Sequence, residues 1–168
     1  MHPGGDNMES LKQVIQTLAS MVDAHKRVLE LANQKKSILI SGDVKELQTL
    51  LTHESAAVEE LQQLEQQRME WVAAYMGEKG VQGEFFTLEE LLTIVQVPAV
   101  RNALQAQAKE LRSLVQKISE LNQTNQQLIE TSLAYVQYSI GMLVPKEPSI
   151  GYGPNGRNRY ASLLDAKI

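Results

Sequence analysis

The stretch "SGDVKE", residues 41–46, decides the fold. Before it, from Glu9 to Ile40, apolar residues stand at Leu11, Val14, Ile15, Leu18, Met21, Val22, Val28, Leu29, Ala32, Ile38 and Leu39, with His25 on the same face. Steps of three and four dominate, and neither Pro nor Gly interrupts them. That is the pattern of one helix burying one stripe. After it the stripe resumes at Leu47, Leu50, Leu51, Val58, Leu61, Leu64, Val72 and Tyr75, on a second helix expected from Val44 to Met76. Between the two, Gly42 can take the left-handed conformation that ends a helix. Asp43 can then cap the next helix, with Glu46 three residues on in a capping-box-like pair. So short a connection turns the chain back on itself, and residues 9–77 read as an antiparallel helical hairpin.

The outer face of the second helix, "EELQQLEQQR" at residues 59–68, is a solvated surface. Trp71, the single tryptophan, is expected as a buried anchor near the open end of the hairpin. "GEKGVQGEFF", residues 77–86, holds three glycines and reads as a loop. Thr87 and Glu90 form a second capping pair ahead of a short helix, "LEELLTIV", and Phe85 and Phe86 are expected to plug the bundle end. Pro98 suits the first turn of a further helix.

That last helix runs unbroken from about Ala99 to Leu143. Its stripe is Leu104, Ala108, Leu111, Leu114, Val115, Ile118, Leu121, Asn125, Leu128, Ile129, Ser132, Val136, Ile140 and Leu143. At 1.5 Å per residue it spans about 68 Å, against about 50 Å for each hairpin helix. About 12 residues must overhang, or the helix bends, or another molecule supplies the missing partner. The expected fold class is all-α: an antiparallel bundle or coiled coil of three long helices and one short one over residues 9–144. Residues 145–168, "PKEPSIGYGPNGRNRYASLLDAKI", read as an extended tail, and its closing "RYASLLDAKI" carries a short apolar pattern that can become helical against a partner. Residues 1–8 read as a disordered start. Residues 1–7 are left out of the fold, since Met8 can itself serve as an initiator.

Composition agrees. Apolar residues make up 43% and aromatics 5%, so the core is aliphatic, as in long helices packed side by side. The absence of cysteine excludes disulfides, thiolate zinc sites and thiol catalysis, and fits a reducing cytoplasm. The net charge of −4 is unevenly spread. Residues 1–42 carry +1, residues 43–97 carry −8 and residues 98–168 carry +3. No apolar run reaches the ~18–20 residues of a membrane span, and no basic start precedes an apolar run as in a secretion signal.

Catalytic and metal chemistry find no support. His2, His25 and His53 share no metal-ligand spacing, and His25 is expected as a partly buried, hydrogen-bonded core histidine. The carboxylates lie on exposed faces where burial does not tune them. "GYGPNG" lacks the Lys-Ser/Thr of a phosphate-binding loop. No cofactor and no enzymatic activity are expected. Arg101, Lys109, Arg112 and Lys117 are interleaved with Glu110 and Glu120 and accompanied by no stacking aromatics, so nucleic acid is not expected as a partner. A membrane-surface helix is disfavoured because no Lys or Arg stands between Lys117 and Lys146.

One segment stays unexplained by a closed bundle. "LNQTNQQLIETSLAYVQYSIGML", residues 121–143, carries Glu130 as its sole charge. A protein-binding face is depleted in charge in this way. Asn125 stands where the stripe calls for an aliphatic residue, and an asparagine there fixes register and partner choice in coiled coils. The face either completes the intramolecular bundle or receives another chain. The length mismatch favours the second.

"LNQTNQQLIETSL" followed by "EPSIGYGPNG" resembles the C-terminal half of FlgN-type flagellar export chaperones. The pattern is Leu121, Asn122, Asn125 and Leu128 on a helix, then Pro145 and Pro148, then Tyr152, Gly153 and Gly156. The first half is also similar, with "LISGDVKELQTLLTHE" at residues 39–54 leading on to Arg68, so the likeness covers residues 11–156. It implies a cytoplasmic chaperone of flagellar type III secretion. Such a protein covers the C-terminal segments of hook–filament junction proteins and delivers them to the membrane export gate and its ATPase machinery. By the resemblance, client binding falls on Leu121, Asn122, Asn125, Leu128, Ile129, Ser132, Val136 and Ile140, and export-gate docking on Tyr152, Gly153 and Gly156. A free protein that is a monomer or weak dimer is expected. The alternative is a structural coiled-coil protein whose last helix self-associates.

Overall fold

A computed structural model describes the backbone of residues 4–143 and the side chains of residues 8–143. Among these residues the protein is all-α: four helices account for 90%, and no strand is present. The helices are α1 (Gly4–Ser41), α2 (Val44–Glu78), α3 (Leu88–Ile94) and α4 (Pro98–Leu143). α1 begins at Gly4, five residues ahead of the expected Glu9. The expectations for the tail, including Pro145, Pro148, Tyr152, Gly153 and Gly156, lie outside the described residues.

The turns form as their residues dictate. Gly42 has φ +77° and donates its N–H to the Ile38 carbonyl at 2.9 Å, which closes α1. Asp43 Oδ1 then accepts the Glu46 N–H at 3.0 Å, satisfying a donor that the start of α2 would otherwise leave free. At the far end of α2, Gly80 also has φ +77°. Val81 N–H donates to Met76 O at 2.9 Å and Gly80 N–H to Gly77 O at 3.0 Å, which is a Schellman ending. Thr87 and Glu90 form a complete capping box on α3.

The chain divides into two compact units. Unit 1 comprises the chain up to Arg27 together with Glu59–Gln116. In it, Ser10 donates to Glu78 at 2.9 Å and Arg27 pairs with Glu60, so α1 and α2 are antiparallel there. Gln107 Nε2 donates to the Ile15 carbonyl at 3.2 Å, and Lys26 pairs with Glu110 at 3.4 Å, so α4 runs with α1. Fifteen buried apolar residues fill this unit, among them Val14, Leu18, Val72, Met76, Leu91, Val95 and Leu104.

The loop ahead of α3 is fastened to α2. Arg68 is gripped by both Glu65 oxygens, at 2.6 and 2.7 Å, and donates to the Phe86 carbonyl at 3.3 Å. That hydrogen bonding raises the Arg68 pKa, so the guanidinium stays charged in its half-buried setting. The Phe86 ring lies over Gly83, where an added Cβ would meet ring carbon Cζ at 2.8 Å. Two expectations need correction here. Phe85 is 74% exposed and plugs nothing, while its neighbour Phe86 is half-buried with its ring against the bare Gly83. Trp71 is half-buried, and the buried positions around it are Val72, Tyr75 and Met76.

Unit 2 comprises Val28–Val58 and the chain from Lys117 onward. Among its described residues the buried apolar ones are Val28, Ala32, Leu50, Ile118 and Ile129. Beside them stand three buried polar or charged residues, Lys35, Glu54 and Asn125.

Candidate functional site

The residues assigned to client binding all lie on α4 in unit 2, and the structure divides them. Asn125 is 1% exposed and Ile129 5%, both covered by the chain itself. Asn125 Nδ2 donates to the Ala32 carbonyl of α1 at 3.0 Å. Leu121, Asn122 and Leu128 are half-buried, though Asn122 Oδ1 is fully enclosed. Ser132 and Val136 are exposed and Ile140 is half-buried. Ser132 Oγ donates to the Leu128 carbonyl at 2.8 Å, a bond within α4 itself.

Ile129 is the last fully buried residue of α4; Leu133, Gln137, Ser139 and Ile140 are half-buried, and the helix continues to Leu143. The reason is register. Ala32 of α1 lies against Asn125, and α1 ends at Ser41. Carried forward at equal rise, that register sets Tyr135 level with the Gly42 turn. The following residues, 136–143, extend about 12 Å further. On the α4 segment after Ile129, Tyr135 is 70% exposed, Val136 45%, Tyr138 68%, Met142 70% and Leu143 84%. Isolated exposed apolar residues are ordinary; here five fall within the nine residues 135–143 of one charge-poor helical segment.

Beneath the candidate face lies a polar layer that sequence reading missed. Lys35 Nζ meets Glu54 Oε2 at 3.2 Å, with the two side chains 2% and 7% exposed. Asn122 Oδ1 and Asn125 Oδ1 are buried without a hydrogen-bond partner. A cavity of about 10 Å³ is bordered by Glu54 and Asn122 together with Val28, Leu31, Ala32, Ala57 and Val58. The signal for Lys35 was its spacing: Val28, Ala32, Lys35 and Leu39 form an uninterrupted helical stripe. Residue type concealed it, since a lysine reads as solvated. Glu54 continues Leu47, Leu50 and Leu51 in the same way.

His25 is half-buried and donates from Nδ1 to the Met21 carbonyl at 2.6 Å, as expected of a satisfied core histidine. Among the described residues no group of three or more His, Asp or Glu side chains is placed to hold a metal ion. No helix among them is long and apolar enough to cross a membrane.

The chain belongs to the FlgN family: the family model described as FlgN protein matches residues 8–159, nearly the whole chain. Membership of that family implies a flagellar export chaperone. The uncharacterized protein YvyG of Bacillus subtilis (strain 168) is 27% identical over 143 residues, covering 85% of this chain and 86% of its own length. No solved structure matches the chain.

Proposed function

We propose that this chain is a cytoplasmic chaperone that covers the C-terminal segment of a hook–filament junction protein on α4 and delivers it to the type III export apparatus. The observation that carries the reading is the mismatch on α4, where full burial ends at Ile129 and an apolar, nearly uncharged helix continues to Leu143 with Tyr135, Val136, Tyr138, Met142 and Leu143 exposed. A client terminus that is apolar and unfolded alone gains about 25 cal/mol for each Å² it buries there, less ~2–5 kcal/mol or more for its own ordering. Positions three and four apart, Val136 and Ile140 with Leu133 and Leu143 beside them, suit a helical client segment laid along α4. Three long helices and one short one, packed as an antiparallel bundle, form the frame that presents this face. Tyr152, Gly153 and Gly156 are the proposed contact with the export gate.

Titration of the full-length chain with junction-protein C-terminal peptides tests the reading. Val136→Asp places a charge on the exposed face without touching the packed core and should abolish peptide binding while leaving the melting temperature unchanged. Tyr152→Ala should bind peptide normally and fail in export. Equal loss of peptide affinity in both variants would refute this division of labour. The same exposed face also suits self-association into a coiled coil. Sedimentation separates the two, since a dimer that persists when client is added supports the structural reading.

A further inference from the structure

We propose that unit 2 is an internal latch on the client face, in which α1 and α2 hold Asn122, Asn125 and Ile129 in the free protein and the polar layer under them sets how readily that hold is released. The inference rests on the reading of α4 as the client-binding helix. Three of the eight residues of the client stripe are engaged by the chain's own helices: Asn125 on the Ala32 carbonyl, Ile129 in the core, and Asn122 with its oxygen enclosed beside Glu54. A client that uses the whole stripe has to displace them.

The layer is composed to make that displacement easy. Among the described residues, unit 2 buries five apolar side chains where unit 1 buries fifteen. Its centre holds an ion pair at 3.2 Å, and such buried pairs hold a fold together no better than apolar side chains of similar volume. Asn122 Oδ1 and Asn125 Oδ1 are enclosed and accept no hydrogen bond from the protein, so release of α4 lets both face bulk water. The cavity of about 10 Å³ against Asn122 shows that packing is incomplete where α4 meets the hairpin. Before release, only the segment beyond Ile129 is open to a client. Apparent affinity then scales with the fraction of molecules in which α4 is free.

The test replaces the layer from the side that no client touches. In Lys35→Met with Glu54→Leu, both changes on the hairpin, amide exchange across residues 118–143 should slow. Affinity for a junction-protein C-terminal peptide should weaken on the order of tenfold, mainly through slower association. Leu50→Ala, which loosens the same layer from α2, should do the opposite: faster exchange and quicker association. Should the double variant fail to fold, Leu50→Ala decides alone. Slower exchange with unchanged peptide binding would make the layer merely structural and overturn the latch, as would weaker binding in Leu50→Ala. A wild-type chain that binds no client peptide overturns the client reading and the latch with it. A wild type that binds, with all variants binding alike, overturns the latch only.

Discussion

Ile129→Ala and Ile140→Ala make the same chemical change on the same helix, eleven residues apart, and the structure assigns them different outcomes. Ile129 is 5% exposed in the core of unit 2, whereas Ile140 is half-buried beyond the last buried position. Truncating Ile129 removes three buried carbons at about 0.8 kcal/mol each, and the cavity left behind adds to that. A loss of about 2.5–4 kcal/mol follows, within the usual range for such truncations. At Ile140 only part of that surface leaves water, and alanine's better helix propensity returns a few tenths of a kcal/mol, so the net change is about 1 kcal/mol or less. In thermal unfolding each kcal/mol moves the midpoint by roughly 2–4 °C for a chain of this size. The Ile129 variant should therefore melt roughly 5–15 °C lower, while the Ile140 variant stays within about 4 °C of the parent. Peptide titration should reverse the ranking for the free face, with Ile140→Ala weakening binding. Equal destabilisation by both truncations would mean that α4 is covered along its whole length, and the argument for an open face would collapse.

Three further outcomes follow from the local geometry. Asp43→Ala removes the acceptor for the Glu46 N–H and should cost about 1 kcal/mol in urea denaturation, with Asp43→Asn retaining most of it. Gly83→Ala forces a Cβ to 2.8 Å from the Phe86 ring on a backbone at φ +149°, so it should destabilise unit 1 by at least 1–2 kcal/mol on the order of a left-handed penalty. An alanine there with parental stability would show that the Phe86 ring does not lie against the loop. Burial, and then the nearby Glu78 carboxylate, raises the Tyr75 phenol above its ordinary value of 10.0. The unfolded chain therefore ionises first. The stabilisation is complete below about pH 10 and falls as pH rises beyond it, and Tyr75→Phe should flatten that slope in denaturation run at several pH values.

Much of the architecture was legible because it rests on local signals. The Gly42–Asp43 turn, the Thr87–Glu90 box and the opening of α4 at Pro98 each follow from residues within one or two turns of helix. The three long stripes are periodicities, which survive whatever the helices pack against. What could not be read depends on partners distant in sequence. The stripe Val28, Ala32, Lys35 and Leu39 points Lys35 inward, but the partner that lets a lysine sit there, Glu54, comes from across the hairpin and is announced by nothing near Lys35. Phe85 and Phe86 are equivalent in composition, and what distinguishes them, the Phe86 ring against Gly83 and the Phe86 carbonyl on Arg68 eighteen residues upstream, is not written at either position. For the candidate face, sequence supplied the charge-poor segment and the odd Asn125. It could not supply the boundary at Ile129, because that boundary is set by where α1 ends rather than by anything on α4.

The sparse charge of that segment has a thermodynamic corollary. A face offering one carboxylate across residues 121–143 gives dissolved ions almost nothing to screen. Whatever settles on it should show an affinity nearly indifferent to ionic strength. Temperature would govern it instead, with a negative heat-capacity change on association and a grip that slackens in the cold.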